Sequence, residues 1–131
     1  MGTWGVGAFE NDTAADWCGA LDDVPAGTRP GLVLEALART VGTTGYLDAD
    51  DAQEAVAAAA LVAAQCPGGE AADSPYGPEG ALPDLTGLRE LAGRALDRVT
   101  AEPSELLELW EEAEGGPWRT SVDRLRRTLR P

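Results

Sequence analysis

Histidine, lysine and isoleucine are absent from this chain of 131 residues, and all ten of its basic residues are arginine. Histidine is the usual general base near neutral pH, a common transition-metal ligand and the activator of serine and cysteine nucleophiles, so mechanisms that depend on it are excluded. Without lysine the chain cannot form a Schiff base or a P-loop phosphate site. Carboxylates, arginines, hydroxyls and thiols are the groups that remain for chemistry.

Cysteine is also scarce, since only Cys18 and Cys66 occur and neither belongs to a paired metal-binding or redox motif. We interpret both as free thiols, with a disulfide between them as the alternative, and we expect no bound metal and no cofactor. The longest apolar run, residues 55–64, is too short and too rich in alanine to cross a bilayer. The chain also opens without the pattern of a secretory signal, so we expect a cytoplasmic protein.

Apolar residues recur at helical spacing along most of the sequence, and no stretch alternates as a half-buried strand does. We predict an all-α fold, a single domain over 1–131 with a bundle of five or six helices, and a long loop rich in glycine and proline over 66–83. Polar caps or a first-turn proline mark the predicted helix starts at Asn11 or Asp12, Thr28 with Pro30, Asp48 and Asp84, and the fifth predicted helix begins at Ser104 after Pro103. The predicted core includes Trp17, Leu91, Leu96, Trp110 and Leu125.

The fifth and sixth predicted helices each carry an apolar stripe. The fifth is expected to place Leu106, Leu109, Trp110 and Ala113 on one side, and the sixth to align Trp118, Val122, Leu125 and Leu129.

Charge is distributed unevenly. The last fifteen residues hold five arginines and one acid, a net charge of +4, which leaves −17 on the other 116 residues of a chain whose total is −13. Such a body repels nucleic acid and anionic membranes and attracts cationic surfaces. We expect the arginines of the last helix to complement its C-terminus and to pair with acids such as those of the fifth helix.

The opening stretch "GTWGVGAFENDTAADW" combines glycines with acids at a helix start. Backbone amides at such a site attract anions, but Glu10, Asp12 and Asp16 would repel them, so we interpret the stretch as an anchor of Trp4, Phe9 and Trp17 on the core. A second acidic group, Glu105, Glu108 and Glu112, shares one helix face and could meet Glu10 or Asp12 around a hard cation. Solvated glutamates are the simpler interpretation, because no calcium-loop pattern is present.

Three stretches, "MGTWGVGAFENDTAADW", "YLDADDAQEAVAAAALVAA" and "SELLELWEE" followed by a tryptophan, resemble in that order the bacterial family catalogued as domain of unknown function 4259. They cover nearly the whole chain, and together they are specific. The resemblance implies a small, mostly helical, single-domain protein. It implies no established activity, cofactor or catalytic residue.

Two function classes fit these observations. The first is a non-catalytic acidic binding protein, an inhibitor or immunity-type partner of a basic protein, without nucleic acid or membrane as partner. The second is a small-molecule binder or a carboxylate-using enzyme with a pocket lined by tryptophans and acids. No catalytic residue is identified, and the missing groups favour a protein that is not an enzyme. The candidate binding residues are Glu10, Asp12, Asp16, Glu108, Glu111 and Glu112.

Overall fold

A computed structural model of the chain describes residues 7–69, 77–78, 80 and 82–130. These residues form six α-helices and no named strand, as the all-α prediction required: α1 Asp12–Asp23, α2 Arg29–Gly42, α3 Ala49–Ala64, α4 Arg89–Val99, α5 Glu105–Glu112 and α6 Gly116–Leu129. Trp4 and half of the predicted loop over 66–83 lie outside the described residues. No helix in the described part of the chain has both the length and the apolar character needed to cross a membrane.

Polar side chains start three of the helices where the sequence predicted. The side chain of Asn11 accepts a hydrogen bond from the backbone N–H of Ala14 at 2.7 Å, and Asp48 accepts one from Asp51 at 2.8 Å. Ser104 serves α5 in the same way. Each side chain supplies an acceptor to an N–H group that has no partner within the first helical turn.

Asp84 does not cap α4 as predicted. Its carboxylate accepts hydrogen bonds from the backbone N–H of Thr86 at 2.9 Å and from the Thr86 hydroxyl at 2.6 Å. These bonds support a short 3₁₀ turn over Thr86–Leu88, and α4 begins only at Arg89. An acid can satisfy local backbone donors in either kind of turn, so its presence alone did not fix where the α-helix starts.

Helix α3 is the centre of the bundle and packs against the other five α-helices of the described chain. Its buried residues point in every direction around the helix axis: Ala52, Ala55, Val56, Ala57, Ala58, Ala59, Ala60, Leu61, Val62 and Ala63. A helix that is apolar on all sides belongs in a core. Because most of these side chains are methyl groups, five neighbouring helices can approach its backbone closely.

The apolar stripe predicted for α5 is only partly correct: Leu106 is buried and Trp110 packs against the core as predicted, but Leu107 takes the buried place expected of Leu109. Leu106 and Leu107 are the buried residues, whereas Leu109 is 49% exposed and Ala113 is also exposed. Both stripes satisfy helical spacing, and the positions of α3 and α6 decide which one is covered. Among the predicted core residues, Leu96 is fully buried, and four others are partly buried and pack against the core: Trp17, Leu91, Trp110 and Leu125.

Arginines form hydrogen bonds and ion pairs between α4 and α6, and their partners differ from the α5 glutamates that the sequence predicted. Arg89 donates from Nε to the Leu129 carbonyl at 2.8 Å, so a residue of α4 complements the C-terminal end of α6. Arg126 and Arg130 form ion pairs with Asp97 of α4 at 3.0 and 2.6 Å, rather than with the glutamates of α5. The antiparallel contact between α4 and α6 places Asp97 closer to these arginines than any α5 acid.

Candidate functional site

An isolated parallel β-bridge between Leu47 and Ser104 positions the candidate site. Leu47 donates its backbone N–H to the Pro103 carbonyl at 3.1 Å, and its own carbonyl accepts from the Glu105 N–H at 2.9 Å. Leu47 immediately precedes the cap of α3, and Ser104 caps α5. The bridge therefore brings the N-terminal ends of two acidic helices together.

Arg98 reinforces this junction from α4. Its guanidinium donates to the carbonyls of Thr43 at 3.0 Å and Gly45 at 2.6 Å on one segment, and to those of Ala101 at 3.0 Å and Pro103 at 3.1 Å on the other. A planar guanidinium has five N–H donors in a fixed arrangement, which suits it to joining several carbonyls at once. Arg98 thus links the segment before α3 to the segment before α5.

The acidic starts of α1, α3 and α5 meet at one end of the bundle. Thr13 of α1 donates from its hydroxyl to Asp50 Oδ1 at 3.1 Å, and the backbone N–H of Ala49 donates to Glu105 Oε1 at 2.7 Å. Asn11 and Leu106 line the same cleft, so the starts of α1 and α5 are neighbours as well. We call the carboxylates at these helix starts, together with Glu112, the acidic face: Asp12, Asp48, Asp50, Glu105, Glu108 and Glu112.

The acidic face has no arginine counterion among the described residues. Arg39 pairs with Glu35, Asp51 and Glu54, and Arg126 and Arg130 pair with Asp97 and Asp123. None of these acids belongs to the acidic face. The carboxylates of the face are exposed or half-buried. Their charges therefore add up at the surface instead of being neutralised within the fold.

Two large apolar side chains are exposed beside Glu108. Tyr46 is 54% exposed and donates its hydroxyl to Glu108 Oε1 at 2.9 Å, and Leu109 follows Glu108 on the outer side of α5. The hydrogen bond to Glu108, with the negative charges of Glu108, Glu105 and Glu112, raises the pKa of Tyr46. These effects favour the neutral phenol, since its proton is shared with a carboxylate and ionisation would add another negative charge.

Three of the six candidate binding residues belong to the acidic face: Asp12, Glu108 and Glu112. Asp16 is exposed one turn further along α1. Glu10 instead accepts a hydrogen bond from the Gly7 backbone N–H at 3.0 Å, within the turn before α1. Glu111 lies toward α6 and lines an open groove with Arg119. Sequence reasoning missed Tyr46 and the α3 acids as site residues, although Asp48 was predicted as the start of α3.

Two tryptophans stack next to this end of the bundle. The rings of Trp110 and Trp118 lie 5.8 Å apart between centroids and 7° from parallel. The cleft beside them has a free volume of about 10 Å³, and its described lining contains no acid: Gly7, Ala8, Asn11, Gln53, Val56, Leu106, Trp110 and Trp118. That volume suits about one water molecule. The same two tryptophans also line the open groove that contains Glu111 and Arg119, which has a free volume of about 200 Å³. Tryptophans and one acid therefore share a groove, but it is open to solvent and its acid lies beside an arginine.

The described residues give little support to a metal site, a disulfide or a reactive thiol. They contain no group of three acidic or cysteine side chains placed to hold a metal ion, so the glutamates of α5 do not form one with Glu10 or Asp12. Cys18 and Cys66 are free and buried, and no disulfide joins them. Burial raises the pKa of the Cys18 thiol to about 12, which keeps it protonated at neutral pH.

Comparison with protein families identifies the domain. The family model described as domain of unknown function 4259 matches residues 2–121. The chain belongs to this family. Nothing among curated proteins or solved structures matches it. Domain of unknown function 4259 thus includes the whole acidic face, whereas Arg124, Arg126, Arg127 and Arg130 lie beyond the matched range.

Proposed function

We propose that this protein is a non-catalytic binding protein that recognises a cationic protein through its acidic face, as an inhibitor or immunity-type partner does. The observation that supports this most is the set of carboxylates from α1, α3 and α5 at one end of the bundle, without an arginine counterion among the described residues. Such a surface attracts a basic partner and repels nucleic acid and anionic membranes.

The same residues give less support to a small-molecule protein or an enzyme. The cleft beside the stacked tryptophans has space for about one water, and the buried Cys18 thiol is protonated at neutral pH. The groove of about 200 Å³ on the same tryptophans is open to solvent, and its one acid, Glu111, lies beside Arg119. Histidine and lysine are missing from the whole sequence. Recognition of a protein surface needs none of these groups, because complementary charge is sufficient to guide association.

Association kinetics test the proposal. The protein is immobilised, a cationic protein is captured from an extract of its source cells at low salt, and the purified partner is used to measure association and dissociation rates at several salt concentrations. We expect the association rate to fall by about tenfold between low and physiological ionic strength, because long-range attraction is screened over about 8 Å.

A matched pair of variants locates the effect. Glu108→Gln/Glu112→Gln removes two charges from the acidic face, and Asp23→Asn/Glu90→Gln removes two exposed charges elsewhere. The first variant should lower the association rate several-fold more than the second. A complex whose formation is indifferent to salt, equal effects of the two variants, or failure to capture any cationic protein would each contradict the proposal.

A further inference from the structure

Two of the large hydrophobic side chains exposed in the described chain lie beside the acidic face. The exposed large hydrophobic residues are Leu34 at 45%, Tyr46 at 54% and Leu109 at 49%. Tyr46 is hydrogen-bonded to Glu108 and Leu109 is the next residue of α5, whereas Leu34 belongs to α2. Tyrosine is enriched at the energetic centres of protein interfaces, so this outer side of α5 has apolar contact area as well as charge.

Tyr46 is held in place rather than freely mobile. Its hydroxyl donates to Glu108 Oε1 at 2.9 Å, and its backbone lies between Gly45, whose carbonyl binds Arg98, and Leu47, which forms the β-bridge to Ser104. A ring fixed in this way loses little side-chain freedom when a partner covers it. The ring is therefore a preorganised contact surface surrounded by carboxylates.

An arginine fits this surface better than a lysine. A guanidinium is planar, stacks on aromatic rings and is more weakly hydrated than an ammonium group. Its fork of N–H donors can bind carboxylates while it lies on a ring. Glu112 and the second carboxylate oxygen of Glu108 have no hydrogen-bond partner among the described residues, so both can accept from such a group.

We propose that the cationic partner places an arginine on the Tyr46 ring, bonded by Glu108 and Glu112, with an adjacent apolar side chain covering Leu109. This inference rests on the proposed function, because it specifies the partner of the same acidic face. The partner surface is then amphipathic, with arginine next to leucine-like residues, and not merely basic.

Three synthetic helical peptides of equal length and charge test this chemistry by fluorescence anisotropy. The first alternates arginines with leucines on one helix face, the second replaces every arginine by lysine, and the third replaces every leucine by serine. We expect the arginine–leucine peptide to bind at least about fivefold more tightly than either of the others. Its advantage over the lysine peptide comes from stacking on the ring, and its advantage over the serine peptide comes from apolar burial.

Variants of the protein assign the difference to the proposed contacts. Tyr46→Ala and Leu109→Ala should each weaken binding of the arginine–leucine peptide by about fivefold, whereas Tyr46→Phe retains the ring and keeps the preference for arginine. Leu34→Ala is the matched control and should leave binding unchanged. Circular dichroism checks that each variant is folded, as substitution of exposed side chains permits.

The outcomes separate this inference from the proposed function. If the three peptides bind equally and with the same salt dependence, and Tyr46→Ala has no effect, the amphipathic partner is refuted while recognition by charge stands. If none of the peptides binds although a captured cationic protein does, the arginine and leucine contacts are also refuted. If neither peptides nor any cationic protein bind, both proposals fail.

Discussion

Replacing Arg98 by alanine tests how the acidic face is held together. Its guanidinium joins the carbonyls of Thr43 and Gly45 to those of Ala101 and Pro103, and the bond to Thr43 is the most shielded from water. A hydrogen bond to a charged group contributes about 1.5–3 kcal/mol when buried, and much less where water can replace it. We assign about 1 kcal/mol to the Thr43 bond and about 1 kcal/mol to the three exposed bonds together.

Arg98→Ala should therefore lower the free energy of unfolding by about 2 kcal/mol, or the melting temperature by about 7 °C for a domain of this size. Urea denaturation followed by circular dichroism measures the loss. Arg98→Lys should recover less than half of it, because one ammonium group cannot reach carbonyls on both segments in the same geometry.

Arg94→Ala is the matched control for this prediction. Arg94 lies one turn earlier on α4, is exposed, and makes no hydrogen bond or ion pair with the described residues. Its removal should cost less than about 0.5 kcal/mol. Equal losses for Arg98→Ala and Arg94→Ala would refute the conclusion that Arg98 joins the two segments.

Three further predictions concern the core, the tyrosine and the buried thiol. Ala58→Leu should destabilise the protein by about 1–3 kcal/mol because α3 has neighbours on every side, whereas Ala38→Leu on the exposed side of α2 should cost less than about 0.5 kcal/mol in the same denaturation assay. Glu108→Gln should lower the raised pKa of Tyr46, measured by absorbance titration with the other tyrosine changed to phenylalanine. The bond from the neutral phenol stabilises the fold fully below the unfolded pKa of about 10 and is lost as pH rises through the higher folded pKa. An unchanged titration curve in the variant would contradict this prediction. Cys18 should resist alkylation at pH 8 in the native protein and react after unfolding, as followed by peptide mass spectrometry, because its thiol has a pKa of about 12; rapid native labelling would show it to be accessible.

Local sequence signals predicted the helices well, because each depends on residues within one or two turns. Asn11, Asp48 and Ser104 accept hydrogen bonds from backbone N–H groups three residues away, so capping of this kind can be predicted without knowledge of the fold. Asp84 shows the limit of such signals, since the same local bonds support a 3₁₀ turn.

The sequence by itself determined an acidic, all-α chain without histidine or lysine, and it identified several acids of the acidic face. Tertiary structure decided which of them meet, through contacts between distant segments: Thr13 with Asp50, Ala49 with Glu105, and Tyr46 with Glu108. It also decided that Leu107 is buried and Leu109 exposed, because two adjacent stripes of one short helix have equal periodicity and only the positions of neighbouring helices distinguish them. Helical period and capping depend on neighbours along the chain, whereas a surface shared by three helices depends on how those helices pack.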